Sequence, residues 1–336
     1  MLSNGKSVVV TPKFFDDAAI RYLEGHGCSV TLARLPDDKA DAAATEAELI
    51  SVLAQADAWI VGHANVTSSL LESLPRLKVI ARRGVGYEKI DLDAAAKTGK
   101  VITIATGGNE ESVADRTLAL MLAAAHRLRE SQQQLIDGPA SILLGSDLYA
   151  KTVGIVGLGR IARNVIRRLK AFDTTILVNT PRPAFVYGES MNIEYVELET
   201  LLQRSDFVSI HAPLKADTRH LINTGRLALM KENAFLINTA RGGLVDDQAL
   251  LSALKAGNIA GAGLDVFESE LDASLAEVTK ELVRRPNVVA TPHSGASTHE
   301  GLQRTNMVVA NCVASVLNGE MPPSKCLIAG PVNCAG

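Results

Sequence analysis

The chain has 336 residues, of which 47% are hydrophobic and 21% charged, and its formal net charge at pH 7 is −3. This length fills about two domains and this composition supports buried cores, which excludes a peptide and an intrinsically disordered protein. The balanced charge provides no basic field for phosphate backbones or anionic membranes, so we expect no nucleic-acid partner.

The cysteines and the apolar segments restrict the class of protein further. Cys28, Cys312, Cys326 and Cys334 lack the spacing of metal ligands, so we expect reduced thiols and no metal site. No apolar stretch reaches the roughly 18 residues that cross a bilayer, and the first residues lack the pattern of a signal peptide. We therefore expect a cytoplasmic protein without a membrane partner.

Short apolar runs alternate with amphipathic segments through the first hundred residues. The runs lie at 8–10, 29–33, 58–61, 79–81 and 101–105. Amphipathic segments such as 16–25 and 46–55 separate them. Continuous apolar strands that alternate with helices predict a parallel sheet covered on both faces, here with five strands.

A long helix is predicted at 110–130, because acidic residues lie at its start and arginines in its last turn. Its apolar interior indicates burial on more than one side, as in a central core helix or a helix at a domain or subunit junction. The second reading makes 112–125 a homodimer interface. Residues 131–150, which contain Gly138-Pro139, are predicted to be a linker.

A second series of α/β units follows the predicted linker. Strands are predicted at 152–156, 175–179, 207–211, 235–239, 261–266 and 288–291, and helices at 160–172, 198–204 and 246–256. A last helix is predicted at 297–317, followed by a proline-rich tail without regular structure. This order predicts a doubly wound sheet of six or seven strands.

A glycine-rich turn follows the first strand of this series, in the string VGIVGLGRIA at 153–162. Gly157 permits the tight turn, Gly159 permits a pyrophosphate to approach the backbone, and Ala162 lets the helix pack closely on the strand. The N–H groups of Arg160 and Ile161 would point at the anion. This context predicts a dinucleotide site, with a purely structural turn as the alternative.

The end of the second strand of the series indicates which dinucleotide binds. An acid is expected there for the ribose hydroxyls of NAD, but Asn179 and Thr180 occupy the place. Without a carboxylate to repel a 2′-phosphate, and with Arg182 nearby to pair with one, we expect NADP. NAD remains possible, with Arg182 as an ordinary surface residue.

Polar segments that a core does not need follow three later strands: NTARGG at 238–243, LDVFESE at 264–270 and TPHSGA at 291–296. With GVGYEKID at 84–91, NEESVAD at 109–115 and HAPLKADT at 211–218, the chain resembles the D-2-hydroxyacid dehydrogenase family. The resemblance implies an α/β protein with two doubly wound parallel-sheet domains. These would be a Rossmann nucleotide-binding domain at 104–295 and a flavodoxin-like substrate domain at 1–103 and 296–336.

The resemblance implies that Arg241, Glu270 and His293 are the catalytic residues. Their chemistry suits a 2-oxo acid, because the guanidinium of Arg241 offers a rigid fork of donors to a carboxylate and ketone. His293 can give a proton to the ketone oxygen during reduction and can remove it during oxidation.

Further residues follow from the resemblance. The backbone amides of Val85 and Gly86 would bind the substrate carboxylate, and Asn109 would add a contact to the substrate. Cofactor contacts are implied for Pro213, Thr218, Thr239 and Asp265, the last with the nicotinamide carboxamide. Ala150 replaces the glycine of the family string LxGKT and the 131–144 loop differs, so no substrate contact is transferred to that loop.

The sequence thus predicts a reductase of a small 2-oxo acid such as glyoxylate or hydroxypyruvate, using NAD(P)H. Two alternatives remain open. One is a 3-phosphoglycerate dehydrogenase or another small-anion dehydrogenase. The other is an NAD(H)-sensing binding protein of the corepressor type, which shares the same fold and the same three residues.

Overall fold

A computed structural model of the chain describes residues 5–330, which form two compact units. The first unit contains the chain up to Asn109 and from Ala296 onward, and the second contains Glu110–Gly295. The predicted domain boundaries lie after residues 103 and 295. Within the described residues, no helix is long and apolar enough to cross a bilayer. Cys28, Cys312 and Cys326 are buried free thiols, and Cys334 lies outside the described residues.

The first unit is built on a six-stranded sheet. Its strands are β1 (Lys6–Val10), β2 (Cys28–Leu32), β3 (Ala58–Val61), β4 (Val79–Arg82), β5 (Val101–Ile104) and β13 (Leu327–Ala329). The spatial order is β13-β5-β4-β3-β1-β2, and all pairs are parallel except β13 with β5. The five predicted parallel strands are present.

Helices cover both faces of this sheet. They are α1 (Asp17–Gly25), α2 (Glu46–Leu53), α3 (Ser68–Glu72), α4 (Leu92–Lys97) and α13 (His299–Leu317). Val8 and Val10 of β1 pack into one core with α1 and α13, whereas Val9 packs into the other core with α2 and α3. This alternation along one strand explains why the strands are apolar at every position.

The prediction of a tail without regular structure is wrong at β13, which pairs antiparallel with β5 at the sheet edge. The strand has three residues, too few to show a periodicity in the sequence. Its structure depends on pairing with β5, which sequence analysis of the tail does not include.

The second unit is built on a seven-stranded parallel sheet. Its strands are β6 (Thr152–Val156), β7 (Thr175–Asn179), β8 (Ile193–Tyr195), β9 (Phe207–Ile210), β10 (Phe235–Asn238), β11 (Gly261–Leu264) and β12 (Val288–Ala290). The order is β12-β11-β10-β9-β6-β7-β8. The chain proceeds outward from β6 in one direction to β8 and from β9 in the other to β12. This is the doubly wound Rossmann order with its switch point between β6 and β9.

Eight helices of the second unit lie around this sheet. They are α5 (Glu110–Ala125), α6 (Leu128–Asp137), α7 (Arg160–Leu169), α8 (Phe185–Ser190), α9 (Leu198–Arg204), α10 (Thr224–Leu227), α11 (Asp247–Ala256) and α12 (Ala276–Arg284). The sequence predicted neither the short elements β8, α8 and α10 nor the longer helix α12. The predicted helix at 160–172 ends as an α-helix at Leu169 and continues as a short 3₁₀ turn.

The predicted single helix at 110–130 is two helices. Arg127 has a left-handed backbone with φ of 53°, which ends the path of α5 and starts α6. The predicted linker is therefore helical as far as Asp137, where Gly138 with φ of 144° ends α6. No residue of α6 is buried, so the apolar periodicity that reveals other helices is weak here.

Candidate active site

The glycine-rich turn lies at the switch point of the second sheet. Gly157 has a φ of 93°, and a Cβ atom there would lie 2.9 Å from backbone atoms of His211 and Ala212, so only glycine fits. A Cβ at Gly159 would have no atom within 4 Å. Helix α7 starts after Gly159 without a side-chain cap, so its first N–H groups are suited to an anion.

The residues expected at the adenosine end follow β7. Asn179 Nδ2 donates to the carbonyl of Val196 at 3.0 Å, so its amide holds the strand end. Thr180 is half-buried and Arg182 is exposed. The structure therefore places no carboxylate at the last residue of β7 or the residue after it.

His293 and Glu270 form a direct pair in the second unit. Nδ1 of His293 lies 2.6 Å from Oε2 of Glu270, and the two side chains are 36% and 38% exposed. The other carboxylate oxygen of Glu270 accepts from the backbone N–H of Phe267 at 2.9 Å. The pair is thus held on one side by backbone and is open to solvent on the other.

The turn that carries His293 is held by Asp265, which is 2% exposed. Its carboxylate accepts from the hydroxyl of Thr291 and from the backbone N–H groups of Ser294 and Gly295. The backbone N–H of His293 donates to the Asp265 carbonyl at 2.7 Å. The predicted contact of Asp265 with the cofactor stays a prediction; in the structure this residue positions His293.

Arg241 lies on a turn after β10 that Asn238 shapes. The amide of Asn238 donates to the Arg241 carbonyl at 2.8 Å and accepts from the Ala240 N–H at 3.0 Å. Arg241 is half-buried, and Nη1 donates to the Ala240 carbonyl. A Cβ at Gly242 would lie 2.1 Å from the Phe267 carbonyl oxygen, so the turns that carry Arg241 and Glu270 touch through their backbones.

The remaining predicted cofactor residues have defined partners in the same unit. The hydroxyl of Thr239 lies 2.9 Å from that of Thr117. The hydroxyl of Thr218 donates to the Pro213 carbonyl and accepts from the Lys215 N–H, both at 2.7 Å, which closes the loop after β9. Desolvation lowers the pKa of His211 in this loop to about 4, so that histidine is neutral at pH 7.

The predicted substrate residues of the first unit lie after β4 and β5. Val85 and Gly86 are half-buried in the loop that follows β4. Asn109 is 6% exposed, and its Oδ1 is buried without a hydrogen-bond partner in the described part of the chain. A buried acceptor of this kind is costly unless a ligand satisfies it.

Sequence reasoning missed several residues that shape this site. Asn238 holds the turn of Arg241, and Glu268 and Asp247 are buried acids beneath the turn of Glu270. Charged residues in strongly apolar surroundings, as in LVDDQALL around Asp247, were the signal that could have identified them. Among residues 5–330 no cluster of three or more His, Cys, Asp or Glu suits a metal ion.

The chain is similar to several known proteins. The sequence profile described as "D-isomer specific 2-hydroxyacid dehydrogenase, NAD binding domain" matches residues 118–295. A glyoxylate reductase of Thermococcus litoralis is 41% identical over 268 residues, which are 77% of this chain and 80% of the relative. A D-3-phosphoglycerate dehydrogenase of Methanocaldococcus jannaschii is 38% identical over 281 residues, 82% of this chain. The chain spans about half of that relative, 53% of its length.

A solved structure extends the comparison to both units. The D-lactate dehydrogenase of Aquifex aeolicus, complexed with NAD and lactic acid, superposes with a TM-score of 0.81 at 29% identity. The match covers 97% of this chain and 99% of that one. The chain therefore belongs to the D-isomer specific 2-hydroxyacid dehydrogenases, a family of nicotinamide-dependent oxidoreductases.

Proposed function

We propose that the protein reduces a small 2-oxo acid, such as glyoxylate or hydroxypyruvate, to the D-2-hydroxy acid with His293 as general acid and base. The observation that carries this proposal is the 2.6 Å contact between His293 Nδ1 and Glu270 Oε2. Because Nδ1 of His293 is hydrogen-bonded to the carboxylate of Glu270, Nε2 is the ring nitrogen that would exchange a proton with a substrate oxygen. The reverse reaction uses the same atom as a base.

Arg241 supports the same chemistry. Its turn touches the turn of Glu270, so a substrate carboxylate paired with the guanidinium would lie near the His293–Glu270 pair. In the first unit, the N–H groups of Val85 and Gly86 are proposed as contacts for a substrate carboxylate. Asn109 is proposed as a further substrate contact, which its unsatisfied Oδ1 supports.

The described residues fit a dinucleotide. Gly157 and Gly159 leave room for a pyrophosphate, and the uncapped start of α7, with the N–H groups of Arg160 and Ile161, would hold it. Pro213, Thr218, Thr239 and Asp265 are proposed as the remaining contacts. A nicotinamide dinucleotide, when bound, supplies or accepts the hydride.

We infer NADP as the preferred form. The carboxamide of Asn179 and the hydroxyl of Thr180 do not repel a 2′-phosphate, and the exposed guanidinium of Arg182 can pair with one. The test compares NADPH with NADH in wild type and in Thr180→Asp, which restores an acid. A strong NADH preference of the wild type would contradict the inference.

A substrate with a second anionic group is the alternative that one observation favours. The guanidinium of Arg82 packs against the backbone of Gly84 and lies 3.2 Å from His63 Nδ1, just before the Val85–Gly86 loop. Arg83 follows it directly. This local positive charge would suit a phosphorylated 2-oxo acid, as in a 3-phosphoglycerate dehydrogenase.

The homodimer and the cytoplasmic location are also proposals. The large apolar residues of α5, within the predicted dimer segment, are mostly buried against α7 and β10–β12. Helix α6 and the loop after it instead expose Leu128, Leu135, Ile136, Ile142 and Leu144. We therefore place the contact with a second copy there. Three free thiols among residues 5–330 support a reducing compartment.

One experiment tests the function directly. Oxidation of NADPH and of NADH is measured with glyoxylate, hydroxypyruvate and a phosphorylated 2-oxo acid, in wild type and in Arg82→Gln. The main proposal is supported if the protein turns over the small acids and if Arg82→Gln does not change this turnover. Turnover confined to the phosphorylated acid supports the alternative. Cofactor binding without any turnover would favour a cofactor-sensing binding protein.

A further inference from the structure

We propose that His220 and Glu268 are positioning residues for the Glu270–His293 pair. The inference rests on the proposed function, in which that pair moves the proton. His220 lies on the loop after β9, away from the strand ends that carry Glu270 and His293 in the sequence. Its ring nevertheless contacts the residue two positions before Glu270.

Glu268 is the centre of this arrangement. Its side chain is 2% exposed, and one oxygen, Oε1, lies 2.6 Å from Arg219 Nη2 and 2.7 Å from His220 Nε2. An ionised carboxylate only accepts hydrogen bonds, so Nε2 carries the proton in this contact. A buried carboxylate is stable only when partners of this kind compensate its charge.

The backbone of Glu268 holds the turn that presents Glu270. The Glu268 N–H donates to Asp247 Oδ2 at 2.8 Å, and the Glu268 carbonyl accepts from the N–H groups of Leu271 and Asp272. Burial raises the pKa of Asp247 to about 7, so this acid is largely protonated below neutral pH and adds little charge beside Glu268 there. Displacing Glu268 would therefore displace Glu270.

The backbone of His220 supports a specific role for its ring. It has a left-handed conformation with φ of 49°, and its N–H donates to the Gly243 carbonyl at 2.8 Å. Glycine or asparagine would adopt this conformation more easily. Histidine adds an Nε2 atom that reaches Glu268. The backbone and the ring of His220 together connect the loop after β9 to the turns that carry Arg241 and Glu270.

The test uses two substitutions of His220 that separate backbone from ring. His220→Asn suits the left-handed backbone but is too short to reach Glu268, whereas His220→Gln is long enough to restore a donor. We expect His220→Asn to lower kcat about 10- to 100-fold, the effect of misplacing a catalytic group by roughly 1 Å. The Kd for NADPH should stay near wild type, the Tm should fall by no more than the loss of one hydrogen bond to a buried carboxylate allows, and His220→Gln should recover part of kcat.

A second readout does not depend on turnover. In protein labelled with ¹⁵N-histidine, the Nδ1 chemical shift of His293 reports its hydrogen bond to Glu270, and Glu270→Gln gives the shift expected when the carboxylate is lost. The signal in His220→Asn should move toward the Glu270→Gln value. His126→Asn, at an exposed histidine of the same unit, serves as the control and should leave the signal unchanged.

The outcomes separate the two proposals. A His293 signal in His220→Asn that is identical to wild type overturns the positioning role, whatever the activity. The positioning role is also overturned if the activity of His220→Asn falls only in proportion to its unfolded fraction while the His293 signal of the folded molecules equals that of the wild type. A wild type that turns over no 2-oxo acid overturns the proposed function alone, because the chemical shift still reports the positioning.

Discussion

His293 combines a chemical role with an unfavourable backbone. Its φ of 49° lies in the left-handed region, which costs a non-glycine residue about 1–2 kcal/mol. The hydrogen bonds of the Asp265 carboxylate and carbonyl around the same turn offset that cost. Local strain of this kind is typical of functional positions, where the surrounding structure fixes a side chain that the backbone alone would not favour.

His293→Asn distinguishes the proton-transfer role of the side chain from the role of its backbone conformation. Asparagine tolerates the left-handed conformation, so the fold should be retained while the acid and base are lost. We expect kcat to fall about 100- to 10,000-fold with an unchanged Kd for NADPH, measured by stopped-flow turnover and by fluorescence titration. His126→Asn should keep wild-type turnover. A His293→Asn enzyme with normal kcat would remove His293 from the mechanism.

Asp247 provides a prediction about pH and stability. Burial raises its pKa from the ordinary 3.8 to about 7, so between these values the folded protein holds a proton that the unfolded chain has released. The free energy of unfolding therefore decreases through this residue as pH rises from about 4 to 7. The total effect is up to about 4 kcal/mol, from the size of the shift.

Asp247→Asn should remove this pH dependence, because asparagine does not titrate. Its amide oxygen can still accept from the Glu268 N–H, so the contact is kept. In urea unfolding at several pH values, the free energy of unfolding of the variant should increase relative to that of the wild type from pH 4 to pH 7. Above pH 7 the difference between the two should be constant. Asp217→Asn, at an exposed carboxyl in the same unit, is the control. Parallel curves for Asp247→Asn and wild type would show that Asp247 titrates normally.

At the level of elements, the two glycines of the turn from β6 to α7 have different roles, one in folding and one in binding. Alanine at Gly157 would force a Cβ into backbone atoms 2.9 Å away and into a positive φ, whereas alanine at Gly159 meets open space. Gly157→Ala should therefore lose about 1–3 kcal/mol of stability. Gly159→Ala should keep its Tm but bind NADPH more weakly, as measured by calorimetry. Equal stability losses in both variants would contradict this assignment.

The elements also show what the sequence can and cannot predict. Long apolar strands and the turn at Gly157 were predictable because local residue patterns determine them. Helix α6 and strand β13 were not, since α6 has no buried residue and β13 depends on pairing with β5. Arg241, Glu270 and His293 were predicted as catalytic residues from their chemistry and from the motifs, and this assignment stays a prediction. The contact of His220 with Glu268 joins residues 48 positions apart and required the fold.

At the scale of the whole molecule, association depends on exposed apolar surface. In α6, Leu135 and Ile136 are 71% and 69% exposed, and Ile142 in the following loop is 94% exposed. Apolar side chains concentrated in one segment mark an interaction surface more often than scattered ones do. A second copy of the chain is the partner we propose, because a symmetric pair brings the same surface together with itself.

Leu135→Glu tests the dimer. A charge at the centre of an apolar contact should convert the dimer to monomer at micromolar concentration in sedimentation velocity, because burying an unpaired carboxylate is costly. Val186→Glu is the matched control, since Val186 is 85% exposed but lies on α8, outside the proposed contact. The monomer of Leu135→Glu should still bind NADPH, because the Gly157–Gly159 turn lies on other elements. A dimer that survives Leu135→Glu but dissociates with Val186→Glu would place the contact on α8 instead.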